Sequence, residues 1–166
     1  MIIAIDGPAA SGKGTLARKL AEQLDYAYLD TGKLYRAVGL NVLRRGGDPE
    51  DPEAAVDAAN VLNHNELDDP ELKSDEAAQA ASKVGAIPEV RTALLAFQRT
   101  FATTPPEGKS GAVLDGRDVG TVICPEAAVK LFISADVEVR AKRRHKELLD
   151  REEPSIYQRV LADLQE

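Results

Sequence analysis

The chain opens Ile2-Ile3-Ala4-Ile5-Asp6-Gly7-Pro8-Ala9-Ala10-Ser11-Gly12-Lys13-Gly14-Thr15, an apolar run leading into a glycine-rich segment that closes on Lys-Gly-Thr. A helical pattern follows, with Leu16, Leu20 and Leu24 on one side. Strand, glycine-rich turn and helix in that order form the setting in which G-x-x-x-x-G-K binds phosphate. The glycines let backbone N–H groups curl around a polyphosphate. The helix presents its positive N-terminus to the same anion. Lys13 supplies a mobile cation for the β- and γ-phosphates, and a nearby hydroxyl can hold Mg²⁺. Gly14 stands where the common pattern has Ser or Thr, and Thr15 comes one place later. Gly7, Pro8, Ala9, Ala10, Ser11, Gly12, Lys13, Gly14 and Thr15 are the expected ATP-binding set. Lys13 is its catalytic member, and Thr15 reaches Mg²⁺ mostly through nucleotide and water. An ordinary glycine-rich turn is the bland alternative, and the length and flanks of the pattern speak against it.

Working outward, four short apolar segments read as buried parallel strands: Ile2–Asp6, Ala27–Asp30, Ala112–Asp115 and Val129–Ile133. Helical patterns separate them, which predicts an α/β fold with a parallel sheet flanked by helices. In open sheets of this kind function gathers beyond the carboxyl ends of the strands. Asp6-Gly7, Asp30-Thr31 and Asp115-Gly116 are therefore expected to converge. Residues 37–108 hold no convincing strand and read as a helical insert, with helices over Leu34–Arg44, 53–63, 75–85 and 88–102. The expected division is a core of 1–36 and 109–139, the insert of 37–108, and lid helices over 140–166.

Composition narrows the class. Of 166 residues 43% are hydrophobic and 30% charged, the profile of a globular domain. No apolar run is long enough to span a membrane. The chain starts on a strand with no basic leader or cleavage pattern, so a cytoplasmic setting is expected. The single Cys124 reads as a small buried hydrophobe rather than a nucleophile. The net charge of −7 is unevenly spread: residues 46–76 carry eleven acids and one base, so the remainder is mildly basic. Such a balance suits a small anionic substrate. It does not suit a nucleic-acid binder, and the acid run itself reads as a solvated helix surface. A monomer is expected.

Two further motifs lie at strand ends. Asp30-Thr31-Gly32-Lys33-Leu34-Tyr35-Arg36 can open a helix whose N-terminus is an anion site, with Arg36 about a turn in and able to fork onto a monophosphate. A plain N-cap before an amphipathic helix is the alternative. Asp115-Gly116-Arg117-Asp118-Val119-Gly120-Thr121 holds Arg and Asp side by side in a turn, costly unless they face a ligand or each other. After the fourth strand, Arg140, Arg143 and Arg144 share one helix face, as either a solvated surface or an arginine-bearing lid over a transferring phosphoryl group.

Together, IDGPAASGKGT, DTGKLYR and LDGRDVGTV, in that order with a helical insert before the last, resemble the bacterial cytidylate kinases, nucleoside monophosphate kinases of the P-loop class. Adenylate kinases share the loop but usually have different second and third motifs. Ala80-Ala81-Ser82-Lys83-Val84 and Pro88-Glu89-Val90-Arg91 resemble the family's cytosine-binding stretch. The resemblance implies transfer of phosphate from ATP, with Mg²⁺, to CMP or dCMP. It gives Asp118 to the cytosine amino group, and Arg91 and Ser82 to N3 and O2. Arg36 and Arg117 go to the CMP phosphate with help from Thr31, while Gly116 belongs to the same substrate turn. Tyr35 goes to the base or sugar, Asp115 to waters of the metal, and Arg140 and Arg144 to the lid. Alternatives are a small P-loop kinase acting on UMP, AMP or a metabolite, or a nucleotide-binding chain with impaired catalysis.

The second alternative arises because the family continues with further lid arginines, an adenine-contacting loop and a final strand and helix, which residues 134–166 do not supply. The segment between residues 63 and 76 also reads as shorter than in many relatives. Val129–Ile133 is accordingly expected to be an exposed sheet edge that promotes self-association or lowers stability.

Overall fold

The computed structural model describes residues 1–165. Its centre is a four-stranded sheet of β1 (Ile2–Asp6), β2 (Ala27–Asp30), β3 (Ala112–Gly116) and β4 (Val129–Phe132) in the order β2-β3-β1-β4. All three pairings are parallel, and the register sets Ile5 beside Asp115 and Asp30 beside Asp115 on the other flank. The strands end together, as expected. β3 runs one residue further than its apolar pattern, and Ile133 N–H continues the β4 ladder onto Asp6 O at 2.8 Å.

β1, β2 and β3 each feed two cores because side chains alternate across the sheet. On one face Ile3, Ile5 and Val113 pack on Ala17 and Ala21 of α1 (Lys13–Leu24). The contact line of that helix is alanine, while Leu16 and Leu24 are 39% and 42% exposed. Alanine lets the helix lie close on the sheet, so the larger leucines flank the contact. On the other face Ala4, Leu29 and Leu114 join a larger cluster that includes Leu34, Val38, Val90 and Leu94.

That larger cluster runs straight into the insert. α2 (Thr31–Arg44) begins at the end of β2, where the Asp30-Thr31-Gly32 motif was expected to open a helix and ahead of the apolar pattern from Leu34, because Asp30 Oδ1 accepts from Gly32 N–H at 2.9 Å and caps it. The expected boundary at 36/37 thus falls inside one continuous helix. α3 (Pro52–Asn60), α4 (Asp75–Gly85) and α5 (Pro88–Thr103) pack around α2. Gly39 of α2 meets α4 so closely that a Cβ there would stand 2.7 Å from Ala80 Cβ. α3 stops at Asn60, short of the expected 63, since Asn63 opens a separate 3₁₀ turn at His64–Asp68 through a capping box with Glu66. A second 3₁₀ turn, Pro70–Lys73, starts on Asp69. Much of the acid run therefore does local work as helix caps.

Beyond β3 a single turn of π-helix, Val119–Ile123, leads past the buried Cys124 to β4. β4 lies at the sheet edge, all four of its residues exposed and Phe132 at 73%, in line with the expected open edge. α6 (Val137–Asp150) and α7 (Tyr157–Gln165) form a hairpin, tied by His145 Nδ1 and Ser155 Oγ at 2.7 Å. Among the described residues no helix is long and apolar enough to cross a membrane.

Candidate active site

The glycine-rich loop joins β1 to α1 over the ends of β1 and β3. Gly7 N–H donates to Gly116 O at 3.2 Å, which fastens the loop to the turn bearing Arg117 and Asp118. A Cβ on Gly7 would lie 2.1 Å from Ile133 O, so no other residue fits. Gly12 caps α1 with φ 93°, a left-handed conformation that glycine adopts without steric cost. Ser11 is buried, and its Oγ has no hydrogen-bond partner among the described residues. A buried hydroxyl left unpaired costs free energy unless something supplies the partner. Polyphosphate oxygens on the loop would do so.

α6 lies over this loop. Arg143 Nη1 donates to Ser11 O at 3.0 Å and to Ala10 O at 3.4 Å, while Arg140 Nη1 reaches Ala9 O at 3.4 Å. Arg140 and Arg144 were the arginines expected to act from this helix. Arg143, expected on the same helix face, is the one that grips the loop most fully. Arg144 pairs with Glu147 on its own helix at 3.5 Å.

Asp6 does not point outward at the strand end. Its two carboxylate oxygens accept from Val119 N–H and Gly120 N–H, both at 2.8 Å, and so pin the Arg117-Asp118 turn. Sequence reasoning placed Asp6 among the converging residues without seeing this use of it. Thr31 is buried, and its hydroxyl donates to Asp115 O at 2.8 Å. In this conformation Thr31 ties α2 to β3 rather than presenting its hydroxyl to a ligand. Asp115 is 3% exposed and accepts from the Tyr28 hydroxyl at 2.5 Å. Burial, reinforced by the charge of Asp30, pushes its carboxyl up to about 6.

Of the residues expected at the base, Tyr35, Arg91 and Asp118 come close enough to influence one another. Burial raises the Tyr35 hydroxyl, with Arg91 pulling it back and Asp118 pushing it further. Gly85 gives the Tyr35 ring room, since a Cβ there would sit 3.5 Å from the ring. Arg91 is exposed on the first turn of α5. Ser82 is exposed on α4 and donates to Ala78 O at 3.3 Å. Among the described residues neither Arg117 nor Asp118 makes an ion pair, so the two do not simply satisfy each other.

Arg36 is half-buried and donates to Leu72 O at 2.9 Å. Its guanidinium is held below its ordinary range first by burial and then by the charge of Arg144, with Arg151 acting in the same sense. Asp30 and Asp75 act on it in the opposite sense, so Arg36 sits among charges of both signs. Arg151, at the end of α6, was not anticipated, because only the fold carries that helix back over α2. Among the described residues no cluster of three or more His, Cys, Asp or Glu side chains could hold a metal ion by itself.

Glycine-rich loop, helical insert and overlying arginine helix sit on an α/β core with a parallel sheet, the architecture of a small phosphotransferase. The family model described as Cytidylate kinase matches residues 3–166, and the chain belongs to that family of nucleoside monophosphate kinases. It is similar to the Cytidylate kinase of Rhodospirillum rubrum, with 68% identity over 148 residues, 89% of this chain and 70% of the relative. It is also similar to the Cytidylate kinase of Paramagnetospirillum magneticum, with 62% identity over 165 residues, 99% of this chain and 78% of the relative. The solved structure of TT1252 from Thermus thermophilus covers 98% of the chain at 23% identity, with a TM-score of 0.48.

Proposed function

We propose that this protein moves the γ-phosphoryl group of ATP onto CMP or dCMP. The P–O bond to the β–γ bridging oxygen breaks, a bond to an oxygen of the acceptor's phosphate forms, and ADP leaves with CDP or dCDP as product. Phosphoryl transfer of this kind needs positioning and charge neutralisation more than proton transfer. Residues Gly7–Thr15 would hold the ATP phosphates, with Lys13 as the mobile cation. Arg36 and Arg117 would hold the acceptor phosphate, Arg36 exchanging its bond to Leu72 O for phosphate oxygens. Arg140 and Arg144 would neutralise charge from above the loop, where Arg143 already sits on the loop carbonyls.

Mg²⁺, when bound, neutralises charge across the nucleotide phosphates. Its preference for oxygen donors fits the residues present: the Thr15 hydroxyl to hold it, and the Asp115 carboxylate to face its water shell.

For the base, Asp118 suits the cytosine amino group, and Arg91 with Ser82 suits N3 and O2. Ser82 must give up its bond to Ala78 O to do so. Uracil presents an acceptor where cytosine presents the amino group, so Asp118 opposes it.

The observation that carries this reading is the Gly7–Gly116 hydrogen bond, which ties the phosphate loop to the turn bearing the base-reading side chains. A coupled ADP-release assay with CMP, dCMP, UMP and AMP tests it. CMP or dCMP is expected to exceed UMP by at least about tenfold in kcat/KM, the worth of one good base contact. Preference for UMP, AMP or another acceptor would instead identify a different small P-loop kinase. ATP binding without turnover on any acceptor would identify a nucleotide-binding protein.

A further inference from the structure

Tyr28 lies two residues before the end of β2, and its side chain packs on the α1 side of the sheet against the cluster of Ile3, Ile5, Ala17, Ala21 and Val113. From there its hydroxyl reaches Asp115 at the end of β3, 87 positions away, and donates to Oδ2 at 2.5 Å. The pair sits directly beneath the phosphate-binding loop. A Cβ built on Gly14 would stand 3.8 Å from both Asp115 Oδ2 and Tyr28 Oη. Three elements thus meet at one point: the first turn of α1, the end of β2 and the end of β3.

Two features set this hydrogen bond apart from packing alone. A phenylalanine would fill the same apolar space without the cost of desolvating a hydroxyl. The carboxylate it holds is almost wholly buried, yet no hydrogen bond among the described residues engages Oδ1. One oxygen is therefore fixed and the other left over, on the residue whose place suits a metal's water shell. Gly14 matters here as well. The loop has no side chain where the common pattern puts Ser or Thr, so Tyr28 is the side chain that fixes the orientation of Asp115 at this spot. Burial and the charge of Asp115 both raise the phenol, which keeps it a donor at any ordinary pH.

We propose that Tyr28 is a positioning residue for phosphoryl transfer, holding Asp115 by Oδ2 so that its other oxygen faces the water shell of the nucleotide-bound Mg²⁺. The proposal rests on the kinase reading above and extends it to a residue that touches neither substrate. Acting through an outer-shell carboxylate, its hydroxyl tunes the response to the cation and leaves the acceptor pocket alone.

The test compares wild type, Tyr28→Phe, Asp115→Asn and the double variant by calorimetric titration with a non-hydrolysable ATP analogue. Each titration is run with Mg²⁺ and again with EDTA. In Tyr28→Phe the affinity gained from Mg²⁺ should fall by roughly tenfold, the lower end for loss of an outer-shell partner. Affinity in EDTA and for CMP should hold, and the melting temperature should drop by no more than a few degrees. Adding Asp115→Asn to Tyr28→Phe should cost little more than either change alone, because both remove the same arrangement. An undiminished Mg²⁺ gain in Tyr28→Phe overturns the proposal, whatever happens to the melting temperature. So does a Tyr28→Phe chain that fails to fold, since the hydroxyl would then serve the fold. Wild type is the control for the kinase reading: absence of ATP affinity, or of transfer to CMP, sinks that reading first and separately.

Discussion

The helical insert and the loop end of the sheet hold their charges in opposite ways. In the insert, charge is answered locally. Arg44 lies 2.8 Å from Asp69 and 2.5 Å from Glu71, Lys83 faces Glu50 at 3.5 Å, and Asp48, Asp51 and Asp69 each accept from a backbone N–H two residues on. At the loop end Lys13 and Arg117 make no ion pair among the described residues, and Arg36 and Arg143 rest on backbone carbonyls. A fold finds partners for charges that serve only itself, because unpaired charge is costly. Lys13, Arg36, Arg117 and Arg143, without carboxylate partners beside a buried orphan hydroxyl, suit the proposed phosphate site.

If that contrast is correct, the largest effect belongs to Lys13. Lys13→Ala should lower kcat on the order of 10³-fold or more, as loss of a preorganised charge contact does, with the fold retained. Steady-state kinetics beside a thermal melt decides the matter. Turnover near wild type would mean that Gly7–Thr15 is not the ATP site.

Asp115 sharpens the comparison from the stability side. Its carboxyl is raised from an ordinary 3.8 to about 6, so between those values the folded chain holds a proton that the unfolded chain has released. Stability from this group is present below about pH 4 and is lost as pH rises towards 6. The stability difference, Asp115→Asn minus wild type, should therefore grow between pH 4 and 7, by up to about 3 kcal/mol from a shift of roughly two units. Urea unfolding of both proteins across that range measures it. A difference that is flat with pH would place Asp115 in an environment no different from the satisfied acids of the insert.

Asp118 comes next in size. Asp118→Ala should raise KM for CMP by at least about tenfold, consistent with roughly 1–3 kcal/mol for a base contact, and leave KM for ATP near normal. Equal losses for both substrates would assign Asp118 to holding the turn, a task Asp6 already performs from below.

Much of this was readable beforehand, and the failures share a cause. The four strands, the loop and the meeting of three strand ends follow from apolar runs, glycine spacing and the parallel-sheet rule, which are local or topological signals. The leucine line of α1 gave its helical period but not its contact face, because a helix pressed onto a sheet selects the smaller Ala17 and Ala21. The start of α2 was legible in the Asp30-Thr31-Gly32 motif, because a strand-end Asp can also cap the helix that follows. The 3₁₀ turns of residues 64–73 carried their own signals, Asn63 with Glu66 and Asp69 with Pro70. Tyr28 on Asp115 and Arg143 on Ser11 O join residues 87 and 132 positions apart, and no pattern in a single sequence spans such distances.

The smallest effect is expected at Lys83, and it probes the contrast where the two regions touch. Lys83 neighbours Ser82, one of the residues expected at the base, yet its charge faces Glu50 within the acidic insert. Both side chains are well exposed, at 47% and 67%, so solvent screens the pair. Exposed pairs of this kind contribute at most about 1 kcal/mol, and salt removes much of that. Lys83→Ala should therefore shift stability by less than about 0.5 kcal/mol, with the shift vanishing in high salt. KM for CMP should stay within about twofold, because a charge already answered by its own fold has no call on the substrate. A tenfold rise in that KM, persisting at high salt, would show that the insert lends a cation to the acceptor site. The division between satisfied and waiting charge would then have to be redrawn along α4.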